Sequence, residues 1–385
     1  MGPAVMIIGF ILMIIIHEGG HYAAARAFGM KVTEFFVGFG PLLWSTKRGE
    51  TEYGLKLIPL GGYVRIIGMN PFEDVDPDEE GRTYRQAPFW QKSIVILAGI
   101  ASHFVVALAL LWFVVVAWGT FATDAEGQVV RTTTISGVSE VLPDSDEATP
   151  AALSGAEVGD TIIAVDGTPI ATWEEFTEFA QANGGNQVVI TVNRDGDFLG
   201  LETTLATIDR PIFEDGEIVV DAQGDPVLEE SGFYGVTPEA QKESHGILSA
   251  VPIAVGQFFD AASQSVKGLW QMVIGFPALV ASLFGGNDEV LETVRPISPI
   301  GLVRIAGPLE STLQLLALVN IFVGVLNFVP LYPLDGGHFA VAVYEKITGR
   351  EPNVQRLLPV AAVVFIFIVS IGLMGVYLDI FKPLQ

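Results

Sequence analysis

The chain has 385 residues, half of them hydrophobic, and a mean hydropathy of +0.48, so a multi-span membrane protein is expected and a purely soluble fold is not. The formal net charge of −24 sits almost wholly in residues 120–300, which hold 29 acidic and 6 basic residues; so acidic a segment reads as a soluble domain and argues against nucleic acid or anionic lipid as partner. With no cysteine, disulfides and thiolate metal sites are excluded.

Long apolar runs predict four transmembrane helices, over 4–27, 93–119, 310–334 and 357–380. The first carries His17-Glu18-Gly19-Gly20-His21. On a helix, positions i and i+4 differ by about 40° and rise about 6 Å, so His17 and His21 share one face. Two imidazoles there can bind zinc, and Glu18 beside the first can serve as general base. Ionisable side chains in hydrocarbon are costly, which makes all three a functional site by default. A signal peptide cut at Ala23-Ala24-Ala25 is the bland alternative. No Lys or Arg precedes the apolar run and cleavage would discard both histidines, so the segment is expected to be retained.

The loop over 28–92 carries Lys31, Lys47, Arg48, Lys56, Arg65, Arg82, Arg85 and Lys92, and the loop after the third span carries Lys346, Arg350 and Arg356. Both are therefore expected on the cytoplasmic side, with residues 120–300 and both termini outside. Within the first loop, Gly and Pro around short β-prone runs predict a strand–turn–strand element over about 38–66. It is either an ordinary cytoplasmic hairpin or a membrane-associated one.

Beyond the second span, Thr149-Pro150-Ala151-Ala152, Gly155 to Gly167, Trp173 to Phe176 and the alternating Gln187 to Gly196 predict an α+β module inside an external region, 125–240. Its Pro-Ala and Gly-Asp-x-Ile run resembles a bacterial PDZ domain, a fold that can add a peptide strand to a sheet edge. From 245 to 285, Val251, Val255, Phe258, Phe259, Ala262, Val266, Leu269 and Val273 recur at helical spacing, while Asp260, Gln264 and Lys267 interrupt them. An amphipathic helix on the external surface is expected there, because a fifth crossing would carry the next motif to the wrong side.

A catalytic zinc wants three protein ligands and an open position. The third span ends in Asn327-Phe328-Val329-Pro330-Leu331-Tyr332-Pro333-Leu334-Asp335-Gly336-Gly337, which brings Asp335 to the level expected of the two histidines. Its prolines should loosen the helix nearby. Together these motifs resemble the site-2 protease family of intramembrane zinc metalloproteases, in its bacterial RseP-like branch with one PDZ domain. The resemblance spans essentially the whole chain. It implies that His17, His21 and Asp335 hold Zn2+, that Glu18 activates water, and that Asn327 helps position substrate or stabilise the oxyanion. It also implies a β element that pairs with unwound substrate, for which Leu55, Leu57 and Ile58 are the candidate residues.

By the same resemblance the substrates are single-span membrane proteins already shortened outside, such as anti-sigma factors or signal-peptide remnants, and the location is the bacterial cytoplasmic (inner) membrane. One departure stands out: where the family often has A-G-P-x-x-N in the second span, this chain has Ala98-Gly99-Ile100-Ala101-Ser102-His103. His103 is expected to be a hydrogen-bonded residue of the bundle and not a fourth ligand, and His338 to face the cytoplasmic interface. A non-catalytic scaffold with a PDZ reader is disfavoured because His17, Glu18 and Asp335 are all present. A zinc transporter is disfavoured because the second and fourth spans are poor in ionisable residues. A protease with a soluble H-E-x-x-H domain is disfavoured because its third ligand would usually be a Glu on a later cytosolic helix.

Overall fold

An apolar run whose only proline falls in the first turn folds as α1 (Gly2–Ala27), followed by β1 (Val32–Arg48), β2 (Thr51–Ile66) and α2 (Phe89–Trp118). After a second unit come α3 (Ala250–Leu283), α4 (Pro299–Ile305), α5 (Leu309–Phe328), α6 (Asp335–Thr348) and α7 (Val354–Phe381). The computed structural model describes all residues except 71–72, 144, 215–216, 221–225, 284–294, 351–353 and 383–385. Parts of the expected segments 28–92 and 125–240, and the end of 245–285, thus lie outside the described residues. Two units are separable, Met1–Trp118 with His245–Gln385, and Gly119–Ser244.

Among the described residues, four helices are long and apolar enough to cross a membrane: α1, α2, α5 and α7. The 26 residues of α1 reach about 39 Å, more than the ~30 Å of a bilayer's hydrocarbon. α2 packs against α1, α3, α5 and α6. Small residues set the approach: a Cβ on Gly20 would meet the Ala98 carbonyl, and one on Gly9 would meet the Leu316 side chain. Within a bilayer such close backbone contact replaces the hydrophobic drive that water supplies elsewhere.

The third span differs from its expected bounds of 310–334, because α5 stops at Phe328. Pro330 and Pro333 offer no N–H to continue it, Val329 is extended, and Asp335 opens a separate helix. A Cβ on Gly336 or Gly337 would collide with the backbone of 328–332, so both glycines let α6 fold back tightly on this turn.

The β element starts at Val32, earlier than the sequence pattern suggests. Arg48↔Thr51 and Trp44↔Leu55 close the hairpin, while Val32–Val37 pairs with Gly62–Ile66 (Val32↔Ile66, Phe36↔Tyr63) and also faces Glu52–Leu55. Tyr63 locks this arrangement: its hydroxyl donates to Glu34 at 2.7 Å and accepts from Lys56 at 2.9 Å. α3 packs Ala254, Phe258 and Ala262 onto Ala107, Leu111 and Ile321, then Leu279 onto Met374 and Leu378 of α7. Its residues Phe259, Val266, Trp270 and Ile274 are exposed.

The second unit is α+β. Its sheet runs in the order Val236–Ala240, Arg131–Val138, Thr161–Val165, Gln187–Arg194, Asp197–Thr204. Asp195-Gly196, both at positive φ, make the tight turn that the sequence signals. Helix Trp173–Ala182 carries a Thr172/Glu175 capping box and closes a core of Ile135, Ile162, Phe176, Val188, Ile190 and Val192. The Arg194 guanidinium reaches Asp160, at 2.7 Å from each carboxylate oxygen.

Candidate active site

The i, i+4 spacing on α1 brings the His17 and His21 rings together edge-on, with centroids 4.8 Å apart. The tight fold of α6 on the 328–332 turn delivers Asp335 to the same point. His17 Nε2 and His21 Nε2 are 3.3 Å apart, and Asp335 Oδ2 lies 3.4 and 3.3 Å from them. A tetrahedral ion with bonds of about 2.0–2.1 Å spaces its ligand atoms about 3.3–3.4 Å apart. The triangle therefore has the edge length of a zinc site.

Proton placement points the same way. His21 Nδ1 lies 2.8 Å from the Val95 carbonyl oxygen, which can only accept, so Nδ1 carries the ring proton and Nε2 presents a lone pair. Asp335 Oδ2 is buried without a hydrogen-bond donor. Electron pairs converging in a buried site are stable only around a cation, so the residues present fit Zn2+. His17, His21 and Asp335 are the one such group of His, Asp and Glu among the described residues.

Two features of α2 complete the setting. A Cβ on Gly99 would overlap the His21 imidazole, so only glycine leaves room for that ligand. His103 is buried with its ring centroid 4.7 Å from that of His17. Its Nδ1 donates to Asn320 Oδ1 at 3.2 Å, and Asn320 Nδ2 donates to the Leu316 carbonyl at 2.8 Å. His103 is thus hydrogen-bonded within the bundle and stands outside the ligand triangle. Sequence reasoning missed Asn320, although an amide flanked by apolar residues in the middle of α5 was a visible signal.

Glu18 faces β2. A Cβ on Gly62 would stand 3.1 Å from Glu18 Cγ and 2.9 Å from Ile14, so the strand passes directly over this part of α1. A cavity of about 140 Å³ lies between the side chains of His17, Glu18, His21 and Asp335 and the strand segment Gly62–Val64 with Ile66 and Met69. A second, larger cavity of about 870 Å³ shares Tyr63, Val64, Ile66 and Met69 and adds Tyr332 and His338. His338, expected at an interface, therefore lines a cavity, with Nδ1 3.2 Å from the Tyr332 hydroxyl. Leu55, Leu57 and Ile58 are exposed on β2 and are not in either lining. Asn327 sits in the last turn of α5, also outside both linings.

Such a site, with two ligands and an adjacent carboxylate on a helix of membrane-spanning length, a third ligand on α6 and a strand edge across a cavity, defines a membrane-integral metallopeptidase. Residues 5–371 match Peptidase family M50, and the chain belongs to that family, as its resemblance to site-2 proteases implied; it is a zinc metalloprotease. Zinc metalloprotease Rip1 of Mycobacterium tuberculosis is 32% identical over 100% of this chain and 98% of its own length. Metalloprotease MmpA of Caulobacter vibrioides is 28% identical over 89% of each. The PDZ domain of an SdrC-like protein from Listeria innocua covers 30% of this chain and 99% of its own at 20% identity, with a TM-score of 0.18, a likeness that carries no argument here.

Proposed function

We propose that this membrane metalloprotease cuts peptide bonds within or beside the membrane span of single-span proteins. The observation that carries the reading is the ligand triangle on α1 and α6 facing the Gly62–Ile66 edge of β2. A soluble substrate would need no such site inside apolar helices.

His17, His21 and Asp335 would hold the zinc, which when bound would supply Lewis acidity and a water with a pKa of about 7. Glu18 takes the proton of the attacking water and passes it to the leaving amine. His21 is kept in its ligating tautomer by the Val95 carbonyl. Asn327 is assigned the oxyanion by family resemblance, a role that requires its side chain to turn into the cavity when substrate binds.

A membrane helix hides its scissile amide in its own hydrogen bonds and must unwind first. A strand edge offsets those bonds by pairing with the unwound stretch. Gly62–Ile66 lies nearest the ligands; Leu55, Leu57 and Ile58 would hold the substrate farther along the same element.

The basic loops favour a cytoplasmic placement of the β element in a bacterial inner membrane, with the acidic 125–240 region outside. In that setting the PDZ-like unit acts as a size filter or tether, and α3, packed on α2 and α5 through Ala254, Phe258 and Ala262, turns its exposed Phe259, Val266, Trp270 and Ile274 toward lipid. Substrates are then proteins already shortened outside by another protease, of the anti-sigma-factor or signal-peptide-remnant kind.

The test is cleavage of a tagged single-span substrate with a short external stub in liposomes. The native chain should cut within the span, Glu18→Gln should lose about 10²–10⁴-fold in rate, and a zinc chelator should abolish cutting. A zinc-loaded native chain that cuts soluble peptides but no spanning substrate would overturn the reading.

A further inference from the structure

His338 stands one helical turn beyond Asp335 on α6, so the two share a face. Its ring is held by Tyr332: Nδ1 lies 3.2 Å from the hydroxyl and the ring centroids are 4.4 Å apart. Both side chains line the 870 Å³ cavity, whose wall is mixed: Val64, Ile66, Met69 and Leu358 are apolar, while Arg65, Glu73 and Asp74 are charged. Arg65 is already engaged by Glu34 and Glu73, which leaves the His338 ring as a candidate donor toward a bound chain. Because this cavity shares Tyr63, Val64, Ile66 and Met69 with the one at the metal ligands, a chain laid along Gly62–Ile66 passes from one to the other. It advances about 3.3 Å per residue, so the cavity with His338 takes residues close to the scissile bond.

Strand pairing leaves a problem that this pair solves. An unwound helix has lost every intrahelical partner, yet an edge strand satisfies only those peptide groups that point toward it. Carbonyls pointing the other way need a donor from elsewhere, since burial without one is costly. We infer that His338, held by the Tyr332 hydroxyl, donates a hydrogen bond from Nε2 to one outward-facing substrate carbonyl beside the scissile bond. When Tyr332 donates to Nδ1, the ring's proton resides on Nε2, which makes that atom the donor. This binding role rests on the proposed pairing of substrate with β2.

The test uses the full chain in detergent and a synthetic peptide with one Leu/Ala-rich span, first shown to be cut by the native protein. Binding is then measured with Glu18→Gln in place, using the all-amide peptide and a series with one backbone amide changed to thioamide at each position near the cut, which keeps the N–H and makes the carbonyl a poor acceptor. His338→Ala should weaken binding about tenfold, the effect of one hydrogen bond, with zinc content unchanged, and His338→Gln should regain most of it. At one position the thioamide should weaken binding to the protein that retains His338, yet cost little further once His338→Ala is present. Weakening either partner weakens the same bond. With Glu18 present, KM should rise while kcat moves less than about twofold. Additive costs at every thioamide position, or zinc loss in His338→Ala, would overturn the assignment. Failure of the native protein to cut any spanning peptide would instead overturn the protease reading beneath it.

Discussion

A methyl group added at Gly99 would occupy the space of the His21 imidazole. Gly99→Ala should therefore push that ligand off its geometry and weaken zinc binding about 10–100-fold, as lost support of a metal ligand typically does; competition with a chromogenic chelator measures it. Unchanged affinity would mean α2 can retreat from α1 at no cost. His17, Glu18, His21 and Asp335 were legible in the sequence because their types, spacing and apolar setting all named one chemistry. Gly99 and the Val95 carbonyl were not, because a missing side chain and a backbone oxygen leave no mark in a local pattern. Asn320 and His338 fall between: each is a visible polar residue, but its partner stands on another element or across a turn.

The β element shows where sequence patterns blur. Glycines and Pro41 and Pro59 punctuate it, so the pattern announces a strand–turn–strand but not the double pairing of Val32–Val37, nor that Gly62–Ile66 is the stretch beside Glu18. Val64→Pro removes the N–H that donates to Glu18 and should cut cleavage strongly with zinc binding retained; Leu57→Pro, which leaves that bond in place, should also weaken cleavage more than zinc binding. Equal losses of cleavage and metal in both variants, measured side by side, would reject strand pairing. The end of α5 at Phe328 was similarly half visible: the prolines announced a break, but not that Asp335 would open a new helix. In the second unit, hydrogen bonds from the Arg194 guanidinium hold the Asp160 carboxyl below its ordinary range. The pair therefore contributes fully at neutral pH. The unfolded chain takes up its proton first, near pH 4, so that contribution fades as pH falls through the depressed folded value. Amide exchange over 161–194 should lose protection between pH 7 and acid in the native chain, and Asp160→Asn should flatten that slope.

On the proposed reading the two units have separate duties, chemistry in the helical unit and access in the acidic one. Deleting residues 125–240 should leave zinc binding intact and permit cleavage of substrates with long external domains. A deletion variant as selective as the native chain would place the filter elsewhere. Composition made this division legible, because nearly all the net charge falls between the second and third spans, whereas nothing in the sequence tells how the sheet edge of the second unit is used. The ligand triangle carries one more consequence. Two of its members lie at 17 and 21 and the third at 335, so a ribosome makes the first pair early and the last ligand only after the acidic unit and α5. Until then the ligand set is one short, so a growing chain that has already placed α1 in the membrane lacks a complete centre with which to cut.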